Sequence, residues 1–199
     1  MKNYIICLLS SLYGKVKRKH ENEEWIKQKR LFAEIGQHAY MAYPRILLNH
    51  QYIRIGNHFQ TLHNVRIEAI DYYPYSKQHF NPKIKIGDHV IMNHDIHIAC
   101  INEVRIGDYV LFASRIFISD HYHGEITKEA LETPPVFRPL VSKGPVIIGN
   151  NVWIGEGVSI LSGVEIGDNC IIGANAVVTK SFPTNSIIGG NPAKIIKIL

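Results

Sequence analysis

Residues 146–178 read VIIGNNVWIGEGVSILSGVEIGDNCIIGANAVV, and within them an aliphatic residue returns every six positions, at Ile148, Ile154, Ile160, Ile166, Ile172 and Val178. Two residues ahead of each stands another small apolar residue: Val146, Val152, Val158, Val164, Cys170 and Ala176. A period of six excludes an α-helix, whose apolar face returns about every 3.6 residues. The alternation within each unit is that of a strand, where successive side chains point to opposite faces. Gly149, Gly155, Gly167 and Gly173 follow the aliphatic residues and mark tight turns. A short strand and a turn every six residues describe a chain coiling around a shaft. Three such sides close one coil of about eighteen residues, and stacked coils share one core. A sandwich would show irregular strand lengths and hairpin turns instead. The fold class is therefore an all-β solenoid.

The pattern extends upstream through Ile84/Ile86, Val90/Met92, Ile96/Ile98, Val104/Ile106, Val110/Phe112 and Ile116/Ile118, with two extra residues between Ile98 and Ile106. A fainter set at Ile53/Ile55, Phe59/Thr61 and Val65/Ile67 precedes an insertion at 70–82. Residues 1–45 differ: Trp25, Leu31, Phe32 and Ile35 have helical spacing, so this part reads as a helical cap or subunit contact. The sequence thus divides into a helical segment 1–45 and a coiled domain 46–199 that carries an excursion loop at 119–144.

At 199 residues with 46% hydrophobic and 20% charged residues, the chain has the composition of a globular domain. The net charge of +5 is scattered, not striped with aromatics, so no nucleic-acid partner is expected. An anionic small molecule or an acidic lipid surface suits this charge equally well. Three cysteines, Cys7, Cys100 and Cys170, offer no pairing logic and no metal-ligand spacing, which favours a reducing compartment. The apolar run near the start is too short to span a bilayer. The expectation is a cytoplasmic protein whose amphipathic N-terminal segment makes peripheral contact with a membrane.

The six-residue beat, together with the ending SFPTNSIIGGNPAKIIKIL, closely resembles the hexapeptide-repeat acyltransferases over roughly residues 50–199. The resemblance implies a left-handed parallel β-helix, acetyl-CoA as co-substrate, and homotrimers with active sites between neighbours. It points to bacterial sugar and polysaccharide O-acetyltransferases more than to acyl-carrier-protein-dependent members, which append a helical domain. Outward-facing Trp153 in NNVWIGEGVSI matches a Trp that borders the pantetheine channel in similar enzymes. Gly155, Gly173, Ala174 and Ala176 would let the cofactor approach the backbone, with Thr179 beside them. Lys180, Lys194 and Lys197 would meet its phosphates as point charges. Cys170, on a core-facing beat, reads as a packed hydrophobe.

Thirty residues separate Ile118 from the next clear beat at Ile148, and the segment SDHYHG opens that gap. It resembles the segment that bears the catalytic histidine in sugar and polysaccharide O-acetyltransferases. A sugar hydroxyl is too weak an acid to attack a thioester unaided, and a base with a pKa near neutrality removes that proton as the bond forms. His121 is the expected base, with His123 as the competing candidate and an acceptor-binding role otherwise. The resemblance puts acceptor binding at MNHDIHI, through Asn93 and Asp95, with His94 and His97 as further candidates. No metal is expected. Three other readings are a sugar N-acyltransferase with the same base and groove, a zinc carbonic anhydrase-like enzyme, and a non-catalytic β-helix. The second lacks that family's His-x4-His arrangement, because residue 126 is Ile.

Overall fold

The computed structural model describes residues 2–199. A helix, Lys2–Lys29, leads into a chain that visits three parallel sheets in strict rotation. The first sheet takes Glu34–Ile35, Ile53–Ile55, Lys83–Ile86, Glu103–Ile106, Val146–Ile148 and Glu165–Ile166. The second takes Tyr40–Met41, Gln60–Thr61, Ile91–Met92, Leu111–Phe112, Trp153–Ile154, Ile171–Ile172 and Ser186–Gly189, closed by antiparallel Lys194–Ile198. The third takes Arg45–Leu48, Val65–Ala69, His97–Cys100, Phe117–Ser119, Ser159–Ile160 and Val177–Val178.

Parallel register stacks like on like. Ile55, Ile86, Ile106, Ile148 and Ile166 form one inward column of the first sheet, each at most 2% exposed. Each such side chain contributes about 1.5–3 kcal/mol by leaving water. The beat at 146–178 therefore faces inward throughout, Cys170 and Ala176 included. Ala176 was expected to leave an open approach to the backbone, but its methyl points into the shaft.

The coil also begins earlier than residue 46. Ile35, read as helical, is a strand residue paired with Ile55, and the helix ends at Lys29. The stretch Ile35-Gly36-Gln37-His38 repeats Ile55-Gly56-Asn57-His58, which is the turn between the first and second sheets. A Cβ on Gly36 would lie 2.5 Å from the Gly56 carbonyl oxygen, so the stacked turns demand glycine there. Trp25 and Phe32 close the open end of the core, edge to face at 6.0 Å, and the Trp25 indole donates to the Ala39 carbonyl at 3.1 Å.

The first-to-second corner is held by a ladder of side-chain oxygens. Asn57, Asp88, Asp108, Asn150 and Asp168 each accept the backbone N–H of the coil before, at 2.6–2.8 Å. The residues after them, His58, His89, Tyr109, Asn151 and Asn169, all have φ of 55–58°. Such left-handed backbone costs little for Asn and His.

Candidate functional site

Every departure from the six-residue beat falls at one place, the corner between the third and first sheets. The first coil puts a short 3₁₀ turn there, His50–Tyr52, and the second a hairpin, Tyr72–Tyr73 against Gln78–His79. The third inserts the two extra residues before Glu103, and the fourth leaves after Ser119 and returns at Val146. Stacked coils turn these interruptions into one structure.

Asp120, fully buried, stands at the exit. Its Oδ1 accepts the Ile101 N–H at 2.9 Å and its Oδ2 accepts the Asn102 N–H at 2.7 Å, so the extra turn of the third coil is what solvates this carboxylate. The Cys100 thiol also donates to Oδ2, at 3.3 Å. From the following coil the Ser162 hydroxyl donates to the Asp120 carbonyl at 2.6 Å. Against this fixed carboxylate lies His121, its side chain 8% exposed, with Nδ1 at 3.0 Å from Asp120 Oδ1. A carboxylate only accepts, so Nδ1 carries the proton and the lone pair of the neutral ring sits on Nε2. That is the arrangement of a general base held by an orienting acid. Burial, with the Asp120 charge second, pushes the Cys100 thiol well up, so it stays protonated and is no nucleophile.

His123, two residues on, has its ring 6.5 Å from that of His121. Burial first, and the neighbouring His121 second, lower its pKa. Tyr73, from the hairpin of the second coil, donates to the Val136 carbonyl at 2.7 Å and lies 3.4 Å from His123 Nδ1. The Gln78 amide brackets Leu140, donating to its carbonyl at 3.0 Å and accepting its N–H at 2.7 Å. The excursion is thereby docked on the chain's own 70–82 insertion. Asp120, Tyr73 and Ser162 escaped sequence reasoning as site residues; the Asp-His pair in SDHYHG was the one available signal.

The other expected residues fall into separate groups. Trp153 projects from the second sheet, 53% exposed, in an outward column with Leu111 and Ile171. Gly155, Gly173 and Ala174 lie at the corner that follows. Gly155 is required by the coil itself, since a Cβ would meet Ile172 O and Ala174 N at 2.7 Å. At Gly173 the nearest atom would be 3.4 Å away, an ordinary contact, so the coil itself does not demand glycine there. Thr179 and exposed Lys180 belong to the far corner, in the stack that holds Ser119 and Asp120. Lys194 and Lys197 are exposed on the closing antiparallel strand. Asn93 and Asp95 are not beside His121 in one chain. Asp95 sits at the second-to-third corner with φ 61°, bonded by Asn64 at 3.0 Å, and Ala99, four residues on, is the partner of Ser119. Four residues of strand span roughly 13 Å. His97 Nε2 is engaged by Glu68 at 2.9 Å, and the His94 ring packs tilted against His63, with centroids 3.8 Å apart. Among the described residues no group of three His, Cys, Asp or Glu side chains is gathered to hold a metal ion.

A three-sided coil with a histidine-bearing excursion at one corner defines a class of transferase. Residues 145–180 match the family model "Bacterial transferase hexapeptide (six repeats)". The chain is 38% identical over 159 residues to WbbJ of Escherichia coli (strain K12), assigned as a lipopolysaccharide biosynthesis O-acetyl transferase; the match covers 78% of this chain and 76% of that one. A maltose O-acetyltransferase from Clostridium difficile 630 superposes with a TM-score of 0.59 at 27% identity, over 86% of this chain and 72% of that one. A hexapeptide-repeat containing acetyltransferase from Vibrio cholerae O1 biovar eltor, solved with acetyl coenzyme A, gives 0.56 at 26% identity, over 90% and 78%. The chain belongs to the hexapeptide-repeat transferases and is an O-acetyltransferase.

Proposed function

We propose that the protein moves the acetyl group of acetyl-CoA directly onto a sugar hydroxyl of a surface polysaccharide or its precursor, with His121 as general base. The observation that carries this is the buried Asp120–His121 pair, which leaves Nε2 as the free basic atom. Nε2 takes the hydroxyl proton as the sugar oxygen bonds to the thioester carbonyl carbon. The C–S bond then breaks, the proton passes from the imidazolium to the leaving thiolate, and free CoA departs. Asp120 favours the transient imidazolium. The acetyl-CoA complex of the Vibrio cholerae relative and the names of the Escherichia coli and Clostridium difficile relatives support donor and acceptor class. Labelled acetyl-CoA offered with a panel of sugars, and the product identified by mass, tests this; transfer to an amino group in preference to a hydroxyl would favour the N-acyl reading.

On this reading the shaft is a left-handed β-helix, as in the family, and the enzyme is a homotrimer. Two features support the trimer. The second sheet's outward column, Tyr40, Gln60, Ile91, Leu111, Trp153, Ile171 and Ile187, is apolar except at Gln60, whereas the first sheet's column, Glu34, Arg54, Lys85, Arg105, Ile147 and Glu165, is charged except at Ile147. Asn93, Asp95, Gly173 and Ala174 also lie together at the second-to-third corner, across the third sheet from His121, so a neighbouring copy is needed to bring them to it. Asn93, Asp95 and His123 then serve the acceptor, and Trp153, Gly173, Ala174, Thr179, Lys180, Lys194 and Lys197 serve acetyl-CoA. A monomer by light scattering that is fully active at the same concentration would overturn the shared site.

No helix among the described residues is long and apolar enough to cross a membrane. The N-terminal helix nonetheless exposes Ile6, Leu9, Leu12, Tyr13 and Val16, with Lys15, Lys17, Arg18 and Lys19 at and beyond the end of that run and no acid before Glu21. We read it as a peripheral contact with an acidic bilayer surface, which brings a lipid-linked acceptor near the site.

A further inference from the structure

The excursion that carries His121 and His123 also frames an open hollow of about 410 Å3, with His123 in its lining. Its walls include His123, Gly124, Glu125, Lys128, Leu131 and Arg138. Arg138 is placed there by several constraints. Gly124 has φ +90°, and a Cβ on it would stand 2.7 Å from Arg138 Cδ and 3.1 Å from Arg138 Cβ. The arginine stem therefore lies directly across the residue next to His123, and only glycine leaves it room. The Gly124 N–H donates to the Pro139 carbonyl at 2.8 Å, which fixes the two strands of the excursion against each other. Arg138 Nε donates to the Thr133 carbonyl at 2.7 Å. Among the described residues neither Nη has a protein partner. With Lys128 beside it and Glu125 as the one acid on the wall, the hollow carries one net positive charge. A guanidinium clamped by its Nε and its stem, with its outer N–H groups free, is preorganised for an oxyanion.

We propose that this hollow is an acceptor subsite for an anionic group, a phosphate or a carboxylate, carried by the sugar whose hydroxyl His121 deprotonates. The proposal rests on the His121 reading of the site and adds the acceptor's chemistry to it. Charge on the acceptor would explain why the loop uses Gly124 to pack an arginine against the catalytic segment.

The test uses the full chain and matched acceptors: neutral methyl hexosides, the corresponding hexose 1-phosphates and the corresponding hexuronates. The charged members should show a kcat/KM higher by about tenfold or more, as for a charge-assisted hydrogen bond. The phosphate and uronate arms separate the two sources of charge. Arg138→Gln should collapse the charged-to-neutral ratio through KM, and Arg138→Lys should keep part of it. Equal use of charged and neutral acceptors by the parent would overturn the proposal. So would an Arg138→Gln variant whose losses are the same for both, since that describes an arginine that only holds the loop. If no sugar takes acetyl, the base assignment fails separately. Calorimetry with the hexose 1-phosphates, parent against Arg138→Gln, still decides whether the hollow binds an anion.

Discussion

Two groups of histidines stand on different corners of the same coil, and their surroundings have little in common. His38, His58 and His89 stack with Tyr109 along the first-to-second corner, with centroids 4.6–4.9 Å apart, all exposed. Farther along, the same column becomes Asn151, Asn169 and Asn185, bonded amide to amide at 3.3 and 3.0 Å. Imidazole is used there because it tolerates φ near 55–58° and offers a flat ring to its neighbour. His121 instead lies against a fully buried carboxylate whose oxygens are held by Ile101 and Asn102. Residue type is shared, and burial beside a fixed acid is not. The comparison teaches that the irregular corner sets a histidine against a buried, fixed carboxylate, whereas on the first-to-second corner histidine serves as a turn residue.

The difference should be largest in catalysis. His121→Ala should lower kcat by about 10²–10⁴, the usual contribution of a positioned base, while acetyl-CoA still binds and the fold persists. His123→Ala should cost less and act mainly through acceptor KM. Reversal of the two would give the base role to His123; loss in neither would move it to His94 or His97. Asp120→Asn removes the orienting acid and turns an amide NH2 toward one of the two backbone N–H groups that the carboxylate accepts. It should cut activity less than His121→Ala and destabilise by about 1–3 kcal/mol, read from thermal or urea unfolding.

Cofactor variants come next in size. Trp153→Ala should weaken acetyl-CoA binding at every ionic strength, whereas Lys180→Ala should weaken it more at low salt than at high salt, because an exposed charge is screened. Identical affinities in both variants and the parent would move the groove elsewhere. A smaller effect belongs to His123, whose folded pKa burial holds below the usual value of about 6.5. The unfolded chain then takes up the proton first as pH falls, so stability is lost below that pH. His123→Gln should reduce this acid sensitivity in pH-dependent unfolding. The smallest effect should come from His58→Asn on the regular corner, within about 0.5 kcal/mol of the parent and with unchanged kcat. A large loss of activity there would erase the distinction between the corners.

The coil was legible because inward positions at 146–178 are aliphatic except for Cys170 and the period of six admits one geometry. The first coil was not, because Ala39, Met41 and Arg45 stand at its beats and Trp25 and Phe32 lend the segment a helical spacing. Only Ile35-Gly36-Gln37-His38 betrayed it. His121 stood out where the beat failed, but its environment is spread along the chain. Ile101 and Asn102 precede Asp120 by 19 and 18 residues, Ser162 follows it by 42, and Tyr73 is 50 residues from His123. Those contacts arise from stacking one corner on the next, which no local window contains. Gly155 shows the converse: chosen as a cofactor residue, it answers a demand of the coil.

The central claim is that His121 activates the sugar and that acetyl never rests on the protein. Rapid quenching of the enzyme with acetyl-CoA, in the presence and absence of an acceptor sugar, followed by intact-protein mass, tests it most directly. The account predicts unmodified protein in both arms, with acetyl on the sugar in the first. A protein heavier by one acetyl group, formed and consumed at the rate of turnover, would contradict it.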